Sequence, residues 1–116
     1  MKVEIMPMPR ERIQEMKQQF DIEMPDDNNL NPSDLRIFPN PGAGMFMLEF
    51  DLPRSGDTEI RIYNSSGRQI YQSELMGFSG NYQDEVDITQ NGPGNYFLMI
   101  RQNGRSLTRQ IVVADR

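Results

Sequence analysis

Residues 95–114 read NYFLMIRQNGRSLTRQIVVA, and this stretch decides the fold. Tyr96, Leu98 and Ile100 alternate with Phe97 and Met99, so both faces of Asn95–Gln102 are apolar and the run reads as a central strand covered on both sides. Asn103-Gly104 follows. Both residues tolerate the positive φ that a tight two-residue hairpin turn requires, so Leu107–Ala114, with Ile111 and Val113 inward, pairs antiparallel with the run before it.

Working outward, the same rhythm runs back to Leu35, with each apolar run ended by Gly, Pro, Asn or Ser. Leu35–Phe38 is short. Met45–Asp51 places Phe46, Leu48 and Phe50 on one face, and Thr58–Tyr63 turns Ile60 and Ile62 inward and Glu59 and Arg61 outward. Gln69–Leu75 and Tyr82–Ile88 read as half-exposed strands. Asn64-Ser65-Ser66-Gly67 makes a tight connection, and Gly92-Pro93-Gly94 another, in which Pro93 fixes φ. About seven short antiparallel strands with such turns predict an all-β, immunoglobulin-like sandwich over residues 35–116.

Residues 1–34 read differently, as a linker or the tail of a preceding domain. They hold both lysines, Lys2 and Lys17. A short amphipathic helix is expected over residues 10–20, with Pro9 at its start and Ile13, Met16 and Phe20 on one face. Three apolar positions suit a marginal helix that docks on something. Asp26-Asp27-Asn28-Asn29-Leu30-Asn31-Pro32 reads as a flexible polar junction. A start at Met1 without a signal sequence reads as a trimmed fragment.

Composition narrows the chemistry. The 116 residues include 12 Lys+Arg and 17 Asp+Glu, a formal charge of −5, with no His, Cys or Trp. Ser/His and Cys/His nucleophile pairs, thiolate or imidazole zinc sites and disulfides are thereby excluded. Scattered cations outnumbered by acids do not neutralise a polyanion, so nucleic acid is not an expected partner. No run approaches the roughly 20 apolar residues of a membrane span, and the chain reads as soluble.

The remaining constellations have ordinary explanations. Glu85 and Asp87 lie about 7 Å apart along one strand face, a spacing reminiscent of paired glycosidase carboxylates, but an exposed strand face accounts for both. Asp26-Asp27-Asn28-Asn29 lacks the alternate acids, central Gly and distal Glu of a calcium loop. Gly42-Ala43-Gly44 has no following helix or lysine and reads as a turn. Tyr63, Tyr71, Tyr82 and Tyr96 with Phe78 offer a sugar-stacking face or a half-buried core. Arg101, Arg105, Arg109 and Arg116 either protect a sheet edge or face an acidic partner. No catalytic residues, metal or cofactor are expected.

Three segments resemble a known family. Phe38-Pro39-Asn40-Pro41-Gly42-Ala43-Gly44 before the Met45–Asp51 strand resembles the "Tyr-Pro-Asn-Pro, Gly, strand" opening of the C-terminal sorting domain of type IX (Por) secretion cargo proteins in Bacteroidetes. Ile60–Ile70, with Asn64, Gly67 and Arg68, is similar to that family's strand, Asp-x-x-Gly-Arg turn and next strand. Val86-Asp87-Ile88-Thr89 and then Gly94-Asn95-Tyr96-Phe97-Leu98 is similar to its Asp-Leu-Ser, spacer and Gly-x-Tyr segment. The order is the family's. Phe38 stands for a usual Tyr, Asn64 for Asp, Asn91 for Leu, and Arg for Lys in the last strand.

The resemblance implies a non-catalytic secretion signal attached to an N-terminal cargo. Its partners would be the outer-membrane translocon and a sortase-like surface protease, and its route the periplasm and then the cell surface or medium. The recognition residues it implies are Pro39, Asn40, Pro41, Gly44, Asn64, Gly67, Arg68, Asp87, Gly94, Tyr96, Arg105 and Arg109, with cleavage at Asp26–Pro32. Two other classes stand beside it: a carbohydrate- or protein-binding sandwich of a surface enzyme, and a structural accessory domain packed through Ile13, Met16 and Phe20.

Overall fold

A computed structural model describes residues 2–20, 22, 29–40 and 44–114. The elements are β1 (Lys2–Pro7), α1 (Arg10–Phe20), β2 (Ser33–Asn40), β3 (Met45–Asn64), β4 (Gln69–Asp87), β5 (Gly94–Gln102) and β6 (Arg105–Ala114). All strand pairings are antiparallel. Hydrogen bonding runs in the order β1-β6-β5-β3-β2, with β4 also paired to β3.

The expected strands at 45–51 and 58–63 are two halves of one bent strand, β3. Those expected at 69–75 and 82–88 lie on β4. Both strands change register between Leu52 and Thr58 on one side and Gly80 and Leu75 on the other. Gly77 and Gly80 take positive φ on the β4 side of this bend, a conformation that glycine adopts without a steric cost. The first half of β3 pairs with β2 and the last part of β4; its second half pairs with β5 and the first part of β4. The bent ribbon therefore supplies strands to both layers of an antiparallel β-sandwich. Such bends at register shifts are how strands change sheets at a corner.

Phe46, Leu48, Phe50 and Leu52 from one layer and Ile60, Ile62, Tyr96, Leu98, Ile100, Ile111 and Val113 from the other form one buried cluster. The rings of Phe46 and Tyr96 meet edge-on across it, with centroids 6.4 Å apart. β5 is buried on both faces, as its sequence predicts. Asn103 and Gly104 have φ of 53° and 74°, the positive values that the hairpin turn demands.

At the bend, Gln102 is 3% exposed. Its Nε2 donates to the Arg54 carbonyl at 3.0 Å, Thr58 Oγ1 at 3.1 Å and the Phe78 carbonyl at 3.1 Å. One amide thus ties β5 to both arms of the ribbon. On the open side, the Tyr71 hydroxyl bonds the Tyr82 hydroxyl and donates to Asp84 Oδ2 at 2.6 Å. Burial, with Asp84 and Tyr82 beside it, pushes the Tyr71 hydroxyl pKa up.

The N-terminal segment departs from its reading as a tail. α1 occupies the expected residues, and Ile13 N–H donates to the Pro9 carbonyl at 3.1 Å, making Pro9 the residue that starts the helix. β1, however, adds to the β6 edge, Lys2 opposite Ala114 through Pro7 opposite Arg109. Its Val3-Glu4-Ile5 alternation is too short to separate from a linker without its partner strand. Leu30, assigned to the flexible junction, is buried in the core and its N–H donates to the Ser106 carbonyl at 3.1 Å. Asn29 Oδ1 accepts from Ser106 N–H at 2.9 Å. Asp26, Asp27 and Asn28 lie outside the described residues.

Candidate functional site

Because the ribbon folds back on itself, Met45 and Asn64, the two ends of β3, come to the same end of the sandwich. Met45 pairs with Asp87 and Asn64 with Tyr96. Asn40, Gly44 and the connections after β3 and β4 therefore converge there, although they are spread along the chain.

The β3–β4 turn is built on Asn64. Its Oδ1 accepts from the N–H groups of Ser66 and Arg68, both at 3.0 Å, while its backbone N–H donates to the Arg68 carbonyl at 2.9 Å. An Asx side chain that satisfies downstream amides in this way holds a tight turn. The Asn64 carbonyl accepts from Gly67 N–H at 3.0 Å, and Gly67 has φ of 78°. Asn64 Nδ2 also donates to Asn91 Oδ1 at 2.9 Å. Asn64 and Asn91 thus bond one another and link the second segment to the third.

The first segment joins through Gly44 and Asn40. The Gly44 carbonyl accepts from Ile88 N–H at 3.0 Å. Gly44 has φ of 64°, and a Cβ there would collide with Thr89. Asn40 Nδ2 donates to Glu85 Oε1 at 3.4 Å. Pro39 pairs with Phe46 at the strand end. Pro41, Gly42 and Ala43 lie outside the described residues.

The third segment is braced from within. Asp87 Oδ1 accepts from Thr89 Oγ1 at 2.7 Å and Thr89 N–H at 2.9 Å. These bonds, the hydroxyl first, hold the exposed Asp87 carboxyl below the ordinary carboxylate range. The Tyr96 hydroxyl donates to the Gly92 carbonyl, closing the loop that enters β5 at Gly94, and burial raises its pKa. Arg68, Gln69, Asp87, Thr89 and Asn91 line an open polar cavity of about 400 Å³ between the turns.

Other sequence candidates disperse. Arg105 is exposed at the far end, beside the Asn103-Gly104 turn, and Arg109 is half-buried midway along β6, where burial lowers its pKa. Arg101 lies 3.8 Å from Glu59, and Arg116 is outside the described residues. Tyr63, Tyr82 and Tyr96 are buried and Tyr71 is half-buried, so the aromatic residues form no common exposed face. Ile13 and Met16, on the helix expected to dock on something, are buried with Tyr63 and Phe97 of this same chain. Among the described residues no group of three or more acidic side chains is placed to hold a metal ion. No described helix is long and apolar enough to cross a membrane.

The sequence reading placed Thr89 in the third segment without giving it the bracing of Asp87, and gave Asn91 no partner. The signal for Asn91 was present only as a pair, in two Asn residues at positions that touch.

No curated protein matches the chain. Among solved structures, a DUF3244 family protein with an immunoglobulin-like β-sandwich fold from Bacteroides vulgatus aligns with 73% of this chain and 100% of its own, at 14% identity and a TM-score of 0.48. A model of the secretion system C-terminal sorting domain matches residues 36–114, which include β3 to β6 and the connections that meet at one end of the sandwich. The chain belongs to the family of secretion system C-terminal sorting domains.

Proposed function

We propose that this domain is the signal by which the type IX system carries an attached cargo across the outer membrane, and that the converged turns are the face its translocon reads. The cargo precedes the sandwich, which passes through the periplasm to the cell surface or medium, where a sortase-like protease processes it. The domain is an address without catalytic activity of its own.

The observation that supports this most is the bonding of three segments into one rim, through Gly44–Ile88, Asn40–Glu85 and Asn64–Asn91. A rigid scaffold that presents fixed turns binds a partner with little ordering cost. In this reading the residues divide by role. Gly44, Asn64, Gly67, Asp87, Gly94 and Tyr96 shape the turns, Pro39, Asn40 and Pro41 lead into them, and the exposed Arg68 meets the partner. Arg105 and Arg109 lie away from this rim and act through a separate contact.

A reporter test decides it. Residues 1–116 are fused behind an inert periplasmic reporter in a Bacteroidetes host, beside the Arg68→Gln variant. Surface reporter with the native domain, and markedly less with Arg68→Gln at equal protein level, is expected. Reporter retained in the periplasm by the native domain would sink the sorting reading.

A further inference from the structure

Three separate surfaces of the sandwich are filled by residues 2–22. β1 completes the β6 edge through the pairings Lys2–Ala114 to Pro7–Arg109. Beside β2 it also closes one side of the sandwich, where Val3, Ile5, Leu35 and Ile37 pack on the core. α1 then covers the outer face of the larger layer: Met8, Ile13 and Met16 are buried with Tyr63 and Phe97, and Phe20 and Ile22 pack against them. At the helix end, the Phe20 ring occupies the space above Gly67 that a Cβ would take. Without this segment, the β6 edge would be an open row of backbone donors and acceptors beside an uncovered Tyr63–Phe97 face.

We infer that the β6 edge and the Tyr63–Phe97 face together form a docking surface for an extended strand followed by an amphipathic helix, and that residues 2–22 are its intramolecular occupant. Strand addition supplies main-chain hydrogen bonds and register, and the helix supplies apolar anchors. The folding unit then includes Lys2–Phe20, which lies ahead of the matched region that begins at residue 36. The segment holds to the sandwich by contacts and needs no covalent link to stay there. This inference concerns binding within the chain and stands apart from the secretion reading.

The test uses the full chain with a site-specific protease sequence inserted between Ile22 and Asn29. After cutting, the two pieces are expected to co-elute on gel filtration at micromolar concentration. Ile13→Asp, which puts a carboxylate at a fully buried position, is expected to weaken the cut complex by at least about tenfold and separate the pieces. Ile13→Ala gives a smaller loss, and Glu15→Gln, on the exposed side of α1, gives none. Separation of the pieces from the unaltered sequence would overturn the inference, as would co-elution unchanged by Ile13→Asp. An uncut chain that runs as a dimer and becomes a monomer on Ile13→Asp would seat the segment on a second copy and overturn the intramolecular assignment.

Discussion

Asn64 accepts from two backbone amides and donates to Asn91, so one side chain sets the shape of a turn and its attachment to the next. Asn64→Ala is expected to cost about 2 kcal/mol by urea denaturation, since the Ser66 and Arg68 amides lose their acceptor. Asn64→Asp keeps that acceptor and should cost no more than about 1 kcal/mol. Asp87 adds a pH dependence. Its folded carboxyl has a pKa below the ordinary 3.8 because Thr89 bonds the charged form. The unfolded chain therefore takes up the proton first, and the contribution is complete above that ordinary value and lost as pH falls through the lowered one. Acid titration of stability should show this loss in the native chain and not in Asp87→Asn. The Asn64–Asn91 bond was not legible from either residue alone, because each reads locally as a departure from a pattern; only their proximity explains both.

At the scale of elements, the bend of the β3–β4 ribbon depends on Gln102. Gln102→Ala leaves the Arg54 and Phe78 carbonyls and the Thr58 hydroxyl without their shared donor, and should cost roughly 2–3 kcal/mol. A fall in the denaturation midpoint with an unchanged slope would measure it. The alternation of β5 was fully legible, since five successive apolar residues on two faces require cover on both sides. What covers the outer face was not. Ile13, Met16 and Phe20 announce an apolar helix stripe, yet a stripe carries no address, and the sequence reading said only that it docks on something. Phe97→Ala should cost about 3 kcal/mol and loosen α1, seen as faster amide exchange in residues 10–20.

Across the whole molecule, the Gln102 clasp and the rim proposed for recognition lie at opposite ends. Gln102 clasps the bend end, whereas Arg68, Asp87 and Asn91 line the cavity at the turn end. Arg68 is exposed, so Arg68→Gln should leave stability within about 0.5 kcal/mol while reducing surface delivery of a fused reporter. Gln102→Ala should lower delivery only as far as it lowers the folded fraction. Equal effects of both variants at equal folded fraction would place recognition elsewhere. The sequence by itself determined the apolar runs from Leu35 onward, the Asn103-Gly104 hairpin, the helix and the family, because these depend on local periodicity, φ preference and motif order. Only the tertiary structure decided that four expected strands are two bent ones, that three turns share a rim, and that residues 2–22 complete the sandwich. Those outcomes depend on contacts between residues far apart in the chain, and a local pattern records which face is apolar without recording what it meets.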